Sequence, residues 1–206
     1  MIDVQRLSGR IAGIGLLAVL AGCVTLLPKD KPATLYRFGD SLGAAQDIPG
    51  KALVLRKAPT GFDRAAAGDR LLTVTGHQAA YVAGARWVSP ASDLFDAALV
   101  RAFETAGAGT RLLTTAETAR PNGVLAVNVE AFEARYDANT GAAAPTVVVE
   151  ISANLSGLPG GKATTVKHIL VKVPASENRQ GAIANAFNAA VNQAVGQILT
   201  WVKASA

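Results

Sequence analysis

A chain of 206 residues, half of them hydrophobic, has the length for one domain with a real core and is short for two. A single cysteine excludes an internal disulfide, and the 20 lysines and arginines behind the formal charge of +5 are scattered rather than gathered into a run. With aromatics at 5% there is also no platform on which bases could stack, so no nucleic-acid partner is expected.

The chain opens on a basic start, Arg6 and Arg10, followed by the uncharged run IAGIGLLAVL at residues 11–20. That run is about half of the roughly 20 residues that a membrane-crossing helix needs, and the layout is that of an export signal. Leu20-Ala21-Gly22-Cys23 then matches the lipobox of bacterial lipoprotein signals. Small residues precede the bond to be cut, between Gly22 and Cys23, because the peptidase grips an extended backbone, and the thiol that follows carries the lipid. Two other readings exist: an ordinary signal peptide with an accidental cysteine, and a buried N-terminal helix. Cys23 is the only cysteine and stands where lipidation requires one, which favours the lipoprotein. The expectation is therefore a signal peptide at residues 1–22 and a lipidated (palmitate-bearing) N-terminus with a tether at residues 23–33. Two or more acyl chains hold a protein firmly to a bilayer. Residues 24–33 (VTLLPKDKPA) hold two prolines and three charges, and reach about 35 Å at full extension. Val24 stands where an aspartate would retain an enterobacterial lipoprotein at the inner membrane, so the periplasmic face of the outer membrane is expected.

Residues 34–206 then form one domain. Leu35-Tyr36-Arg37-Phe38 is a first strand, residues 39–50 a loop, and residues 52–56 (ALVLR) a central strand. Residues 60–69 read as irregular, and residues 70–75 and 79–83 as short strands about a turn at Gly76-His77. Ser89-Pro90 starts a helix, with a cap residue before a proline at the first helical position. Leu94, Phe95, Ala98, Leu99, Ala102 and Phe103 give that helix one apolar face, and Gly107 and Gly109 end it. Residues 124–136 are a long strand with Leu125, Val127, Val129 and Ala131 on one side. Residues 146–155 alternate cleanly, with Val147, Val149, Ile151, Ala153 and Leu155 facing one way. After a turn at Leu158-Pro159-Gly160-Gly161, residues 164–173 return as a third strand of an antiparallel meander. Residues 176–203 close the chain as an amphipathic helix with Ile183, Phe187, Val191, Val195, Ile198 and Val202 along its stripe. The fold class expected is α+β, an antiparallel sheet with two main helices packed on it.

This order of features resembles the ABC-type transport auxiliary lipoproteins, the group that includes the PqiC-like lipoproteins. The residues that carry the likeness are the lipobox, the strands around Tyr36 and Leu53-Val54-Leu55, and the segment Tyr81-Val82-Ala83-Gly84-Ala85-Arg86-Trp87 ahead of the first helix. The meander and the C-terminal Ala186-Phe187-Asn188 complete it. The resemblance implies an outer-membrane-anchored component of a system built from an ATPase, a permease and an MCE-domain protein. Such systems move phospholipid or other hydrophobic molecules between the two membranes, and their conduit setting allows a homo-oligomer. A structural or assembly lipoprotein that stabilises an outer-membrane complex without touching cargo is the alternative.

Residues with chemistry of their own are few. His77 and His168 have no partner at metal-ligand spacing, so no metal site is expected. No cofactor motif lies outside the signal, and Ser92-Asp93 lacks a nucleophile elbow, so no catalytic residue and no enzyme activity is expected. Arg86-Trp87, with Tyr81 just before, is the candidate partner contact, since arginine and tryptophan are common interface anchors. The competing reading packs Trp87 at the domain edge with Arg86 in solvent.

Overall fold

A computed structural model describes residues 32–39, 53–105, 110–113, 119–139 and 143–205. Gly22, Cys23, most of the tether and most of the expected loop at 39–50 lie outside these. The described residues carry nine strands in one sheet and two long helices. In chain order the strands are β1 (Thr34–Tyr36), β2 (Leu53–Lys57), β3 (Gly61–Phe62), β4 (Arg70–Thr75) and β5 (Gln78–Trp87), followed by helix α1 (Ala91–Thr105). Then come β6 (Thr110–Leu113), β7 (Gly123–Tyr136), β8 (Thr146–Ser156), β9 (Thr165–Pro174) and helix α2 (Gln180–Ser205).

The long strand β7 organises the sheet. Along one edge β8 pairs with it antiparallel, and β9 pairs antiparallel with β8, which is the expected meander. Along the other edge lie three short strands in tandem, β2, β3 and β4, all parallel to β7. The links between them stay on the ladder: the amide of Ala58 donates to the Leu125 carbonyl at 2.9 Å and that of Asp63 to Val129 at 3.0 Å. β2 carries β6 in parallel on its far side. β4 turns through Gly76-His77 into β5, and β5 holds β1 in parallel. The sheet is therefore mixed, which corrects the antiparallel expectation. Alternation of side chains fixes which face of a strand is buried but leaves its edges unspecified, and parallel or antiparallel pairing is decided at the edges.

One face of the sheet and both helices share a core. On β8, Val147, Val149, Ile151, Ala153 and Leu155 are all buried, while Glu150, Ser152 and Asn154 are half-exposed on the other face. On β7 the pattern breaks once. A bulge between Val129 and Ala131 lets two residues, Glu130 and Ala131, oppose Glu150. An extra residue reverses the alternation, so Phe132 and Ala134 continue the core face begun by Leu125, Val127 and Val129. Ala131, expected on the core side, instead pairs on the face that Glu150 shares.

The few aromatics of the sequence are concentrated here. Phe132 lies 4.8 Å from Phe187 of α2 and 5.4 Å from Phe62, measured between ring centres. Phe62 in turn meets Phe95 of α1 at 6.1 Å. Helix α1 starts at Ala91, one residue beyond the expected proline. Its first free amides, of Ala91 and Ser92, are satisfied by the carbonyls of Gly68 and Ala67 at 2.9 and 3.2 Å. Helix α2 starts at Gln180 rather than at 176, and its expected stripe is buried throughout.

Candidate partner-contact site

The segment Tyr81–Trp87 departs from a regular strand, and its composition explains how. In the ladder between β4 and β5, Arg70 pairs with Arg86 and Leu72 pairs with Tyr81. Leu71 alone therefore spans the four residues 82–85, and β5 bows outward there. Gly84 takes a φ of +66°, a backbone that a side chain would strain, and alanines on either side leave room for the bend. The bow brings Tyr81 and Arg86, five residues apart, onto the same turn at residues 63–70.

Both side chains are then tied to that turn. The Tyr81 hydroxyl donates to the Ala65 carbonyl at 3.0 Å, and the Arg70 guanidinium lies 3.9 Å from the centre of its ring. Arg86 Nη1 donates to Asp69 Oδ2 at 2.6 Å, and the Trp87 amide donates to the Asp69 carbonyl at 2.7 Å. From the other side, Gln180 Nε2 at the start of α2 donates to the Ala83 carbonyl at 2.6 Å. Tyr81 remains 36% exposed and Arg86 exposed, whereas Trp87 is only 2% exposed. Its indole packs edge-on against Phe38 at 4.9 Å and Phe187 at 5.3 Å. Any contact made at this corner is thus offered by Tyr81 and Arg86, with Trp87 holding the strand from the core side. Asp69 and Arg70 belong to the same constellation: Asp69 lies in the stretch that reads as irregular, and Arg70 opens an expected strand whose pattern gives no sign of its stacking on Tyr81.

Among the described residues, grooves flank the helices. One, of about 590 Å³, lies between the end of β2 and α1, where Lys57 Nζ binds Asp96 Oδ2 at 2.8 Å. Another, of about 680 Å³, runs between α2 and β9 past Gly196, Thr200 and Trp201. Ser92 is spent on the helix start, its hydroxyl donating to the Ala67 carbonyl at 3.3 Å. His77 sits on the β4–β5 turn and His168 on β9 opposite Ser152. Among the described residues no cluster of three metal-ligating side chains occurs, and no helix is long and apolar enough to cross a membrane.

The profile of a family described as the ABC-type transport auxiliary lipoprotein component matches residues 59–199, from just before β3 to near the end of α2. The chain belongs to this family. Membership makes it an auxiliary lipoprotein of an ABC-type transport system, and the family is one of transport components rather than of enzymes. In this auxiliary lipoprotein the matched span holds Tyr81, Arg86 and Trp87 together with the turn that binds them. Its fold resembles the crystal structure of protein XCC0632 from Xanthomonas campestris, with a TM-score of 0.71 at 23% identity, over 84% of this chain and 96% of that one. A second crystal structure, of an uncharacterized protein, gives 0.61 at 14% identity over 84% of this chain and 99% of that one. These two likenesses establish the fold alone. No curated protein matches the sequence.

Proposed function

We propose that this auxiliary lipoprotein is held at the periplasmic face of the outer membrane by lipid on Cys23. There it serves a system that moves phospholipid or another hydrophobic molecule between the two membranes. Residues 1–22 are the signal, 23–33 the lipidated tether and 34–206 the auxiliary domain. Its partners are an MCE-domain protein and the ATPase and permease of the system, and Tyr81 and Arg86 form a contact corner buttressed by Trp87. The family match over residues 59–199 carries this reading, and the lipobox that ends in Cys23 agrees with it.

Affinity purification of the tagged full chain from cross-linked envelopes tests it. Recovery of an ATPase, a permease and an MCE-domain protein is the expected result. Recovery of an outer-membrane assembly complex without any ATPase would replace it with the assembly-lipoprotein alternative.

A further inference from the structure

One corner of the sheet carries charge in a pattern that strand pairing disfavours. Arg70 of β4 and Arg86 of β5 are direct register partners, so both side chains leave the same face side by side. Like charges placed opposite one another oppose sheet formation. Asp69 offsets one of the two charges, and the Tyr81 ring lies against the other. The row continues onto β1, where Leu35 is the register partner of Arg86. Val88 follows one alternation later, its amide bonded to the Tyr36 carbonyl at 2.9 Å. Leu35 is 60% exposed and Val88 39% exposed, and Arg37 is exposed just beyond β1. Arginine forks and bare aliphatic side chains thus share one patch on the outer side of β4, β5 and β1.

We propose that this face, formed by Leu35, Arg70, Arg86 and Val88, rests on an anionic phospholipid surface. The proposal depends on the lipid anchor at Cys23, and it gives Arg86 to the membrane, leaving Tyr81 as the corner's contact with a protein partner. Two observations choose a membrane as the occupant. The first is position: ten residues separate Cys23 from Thr34, a reach of about 35 Å at most, and they lead directly into β1. β9 also exposes large apolar side chains, Val166 and Leu170, but stands at the opposite end of the strand order, across β5, β4, β7 and β8 from the tethered strand. The second is chemistry: the planar guanidinium binds phosphate oxygens in pairs, and aliphatic side chains beside it fit the boundary between headgroups and acyl chains.

The test uses the processed, lipidated protein reconstituted into vesicles. With Cys23 acylated the parent has no free thiol, so Val88→Cys, or Gln197→Cys on α2 as a control, accepts a fluorophore at one site. In phosphatidylethanolamine vesicles containing phosphatidylglycerol, a brominated lipid is expected to quench the label at position 88 and to leave the label at 197 bright. Quenching at 88 is expected to be lost without phosphatidylglycerol, in the Arg70→Gln/Arg86→Gln double variant, and near 1 M salt, where the Debye length is about 3 Å. An anchored protein whose label at 88 is no better quenched than that at 197, or is quenched equally without phosphatidylglycerol, overturns the proposal and leaves the anchor standing. A parent protein that itself takes up label at Cys23 overturns the anchor, and this proposal with it.

Discussion

Trp87 supports the bowed end of β5 from within the core. Its indole touches Phe38 and Phe187 and is buried, and its ring nitrogen has no hydrogen-bond partner among the described residues. Replacing it with alanine removes a large ring from a packed cluster, and Trp87→Ala is expected to cost about 3–5 kcal/mol in urea unfolding. Trp87→Phe deletes the unpaired N–H together with part of the ring. A buried polar group left unpaired costs about 1–3 kcal/mol, so this variant is expected to lose far less than alanine. Equal losses would mean that the indole nitrogen is satisfied in solution. Tyr136 supplies a pH-dependent counterpart. Burial raises its phenol above the ordinary value of 10.0, and its hydroxyl donates to Asn178 Oδ1 at 2.8 Å. Once pH passes 10.0 the unfolded chain releases this proton first, so the native state holds more protons and stability falls as pH rises through the folded value. Below 10.0 the contribution is fully present. Stability curves of the parent and of Tyr136→Phe are therefore expected to run parallel at neutral pH and to diverge above 10.0, with the parent falling faster. Parallel curves throughout would show that the phenol titrates normally.

Among the elements, the short piece after β1 does more than its length suggests. Gly39 has a φ of +80°, its amide donates to Asn188 Oδ1 of α2 at 2.8 Å, and its carbonyl accepts from Arg101 Nη1 of α1 at 2.6 Å. A Cβ built there would lie 2.6 Å from the Cβ of Ala98. The glycine thus clamps both helices to the first strand. Gly39→Ala combines a left-handed backbone with overpacking and is expected to cost about 2–4 kcal/mol by thermal or urea unfolding. Asn188→Ala, which removes one bond, is expected to cost about 1 kcal/mol. If Gly39→Ala were neutral, the clamp would be absent. None of this could be read from the sequence, where Gly39 is the first residue of a loop and its partners are 62 and 149 positions away. Helix α2, by contrast, was legible, because the apolar stripe from Ile183 to Val202 repeats over many turns, and its bounds slipped by four residues at the start and two at the end. β8 was equally clear, since the alternation from Val149 to Leu155 fixes its register, although Val148 is buried as well. β7 was half clear: the bulge at Glu130 reverses its faces midway, and neither Glu130 nor Ala131 is a residue that announces a bulge. β3 and β6, two and four residues long, have too few positions to establish a period. The motif Tyr81 to Trp87 stood out in the sequence, but Asp69, which binds Arg86, comes from a stretch without pattern, and Arg70 at the start of β4 carries no mark of its stacking on Tyr81.

At the scale of the whole molecule, the parallel pairing of β2, β3 and β4 along β7 has a consequence for how the domain meets a membrane. It places β1, the strand that the tether enters, at the end of the sheet opposite β9, with β5 and its exposed arginine between β1 and β4. If Cys23 carries the proposed lipid, the anchor pulls on the β1 end of the sheet, and the proposed arrangement leaves α2 and β9 on the side away from it. Both the existence and the address of that anchor can be tested with single substitutions ahead of the domain. Cys23→Ser removes the thiol that takes the lipid. The precursor is expected to keep residues 1–22, to run larger on a gel, and to take up no labelled palmitate. Val24→Asp leaves lipidation intact but supplies the inner-membrane retention residue of enterobacterial sorting. In such a host this variant is expected to take up palmitate as the parent does and to move from the outer-membrane to the inner-membrane fraction of a density gradient. The two readouts separate the two claims: palmitate uptake by Cys23→Ser would refute the anchor itself. An outer-membrane position for Val24→Asp would show instead that sorting depends on something other than the residue after the cysteine.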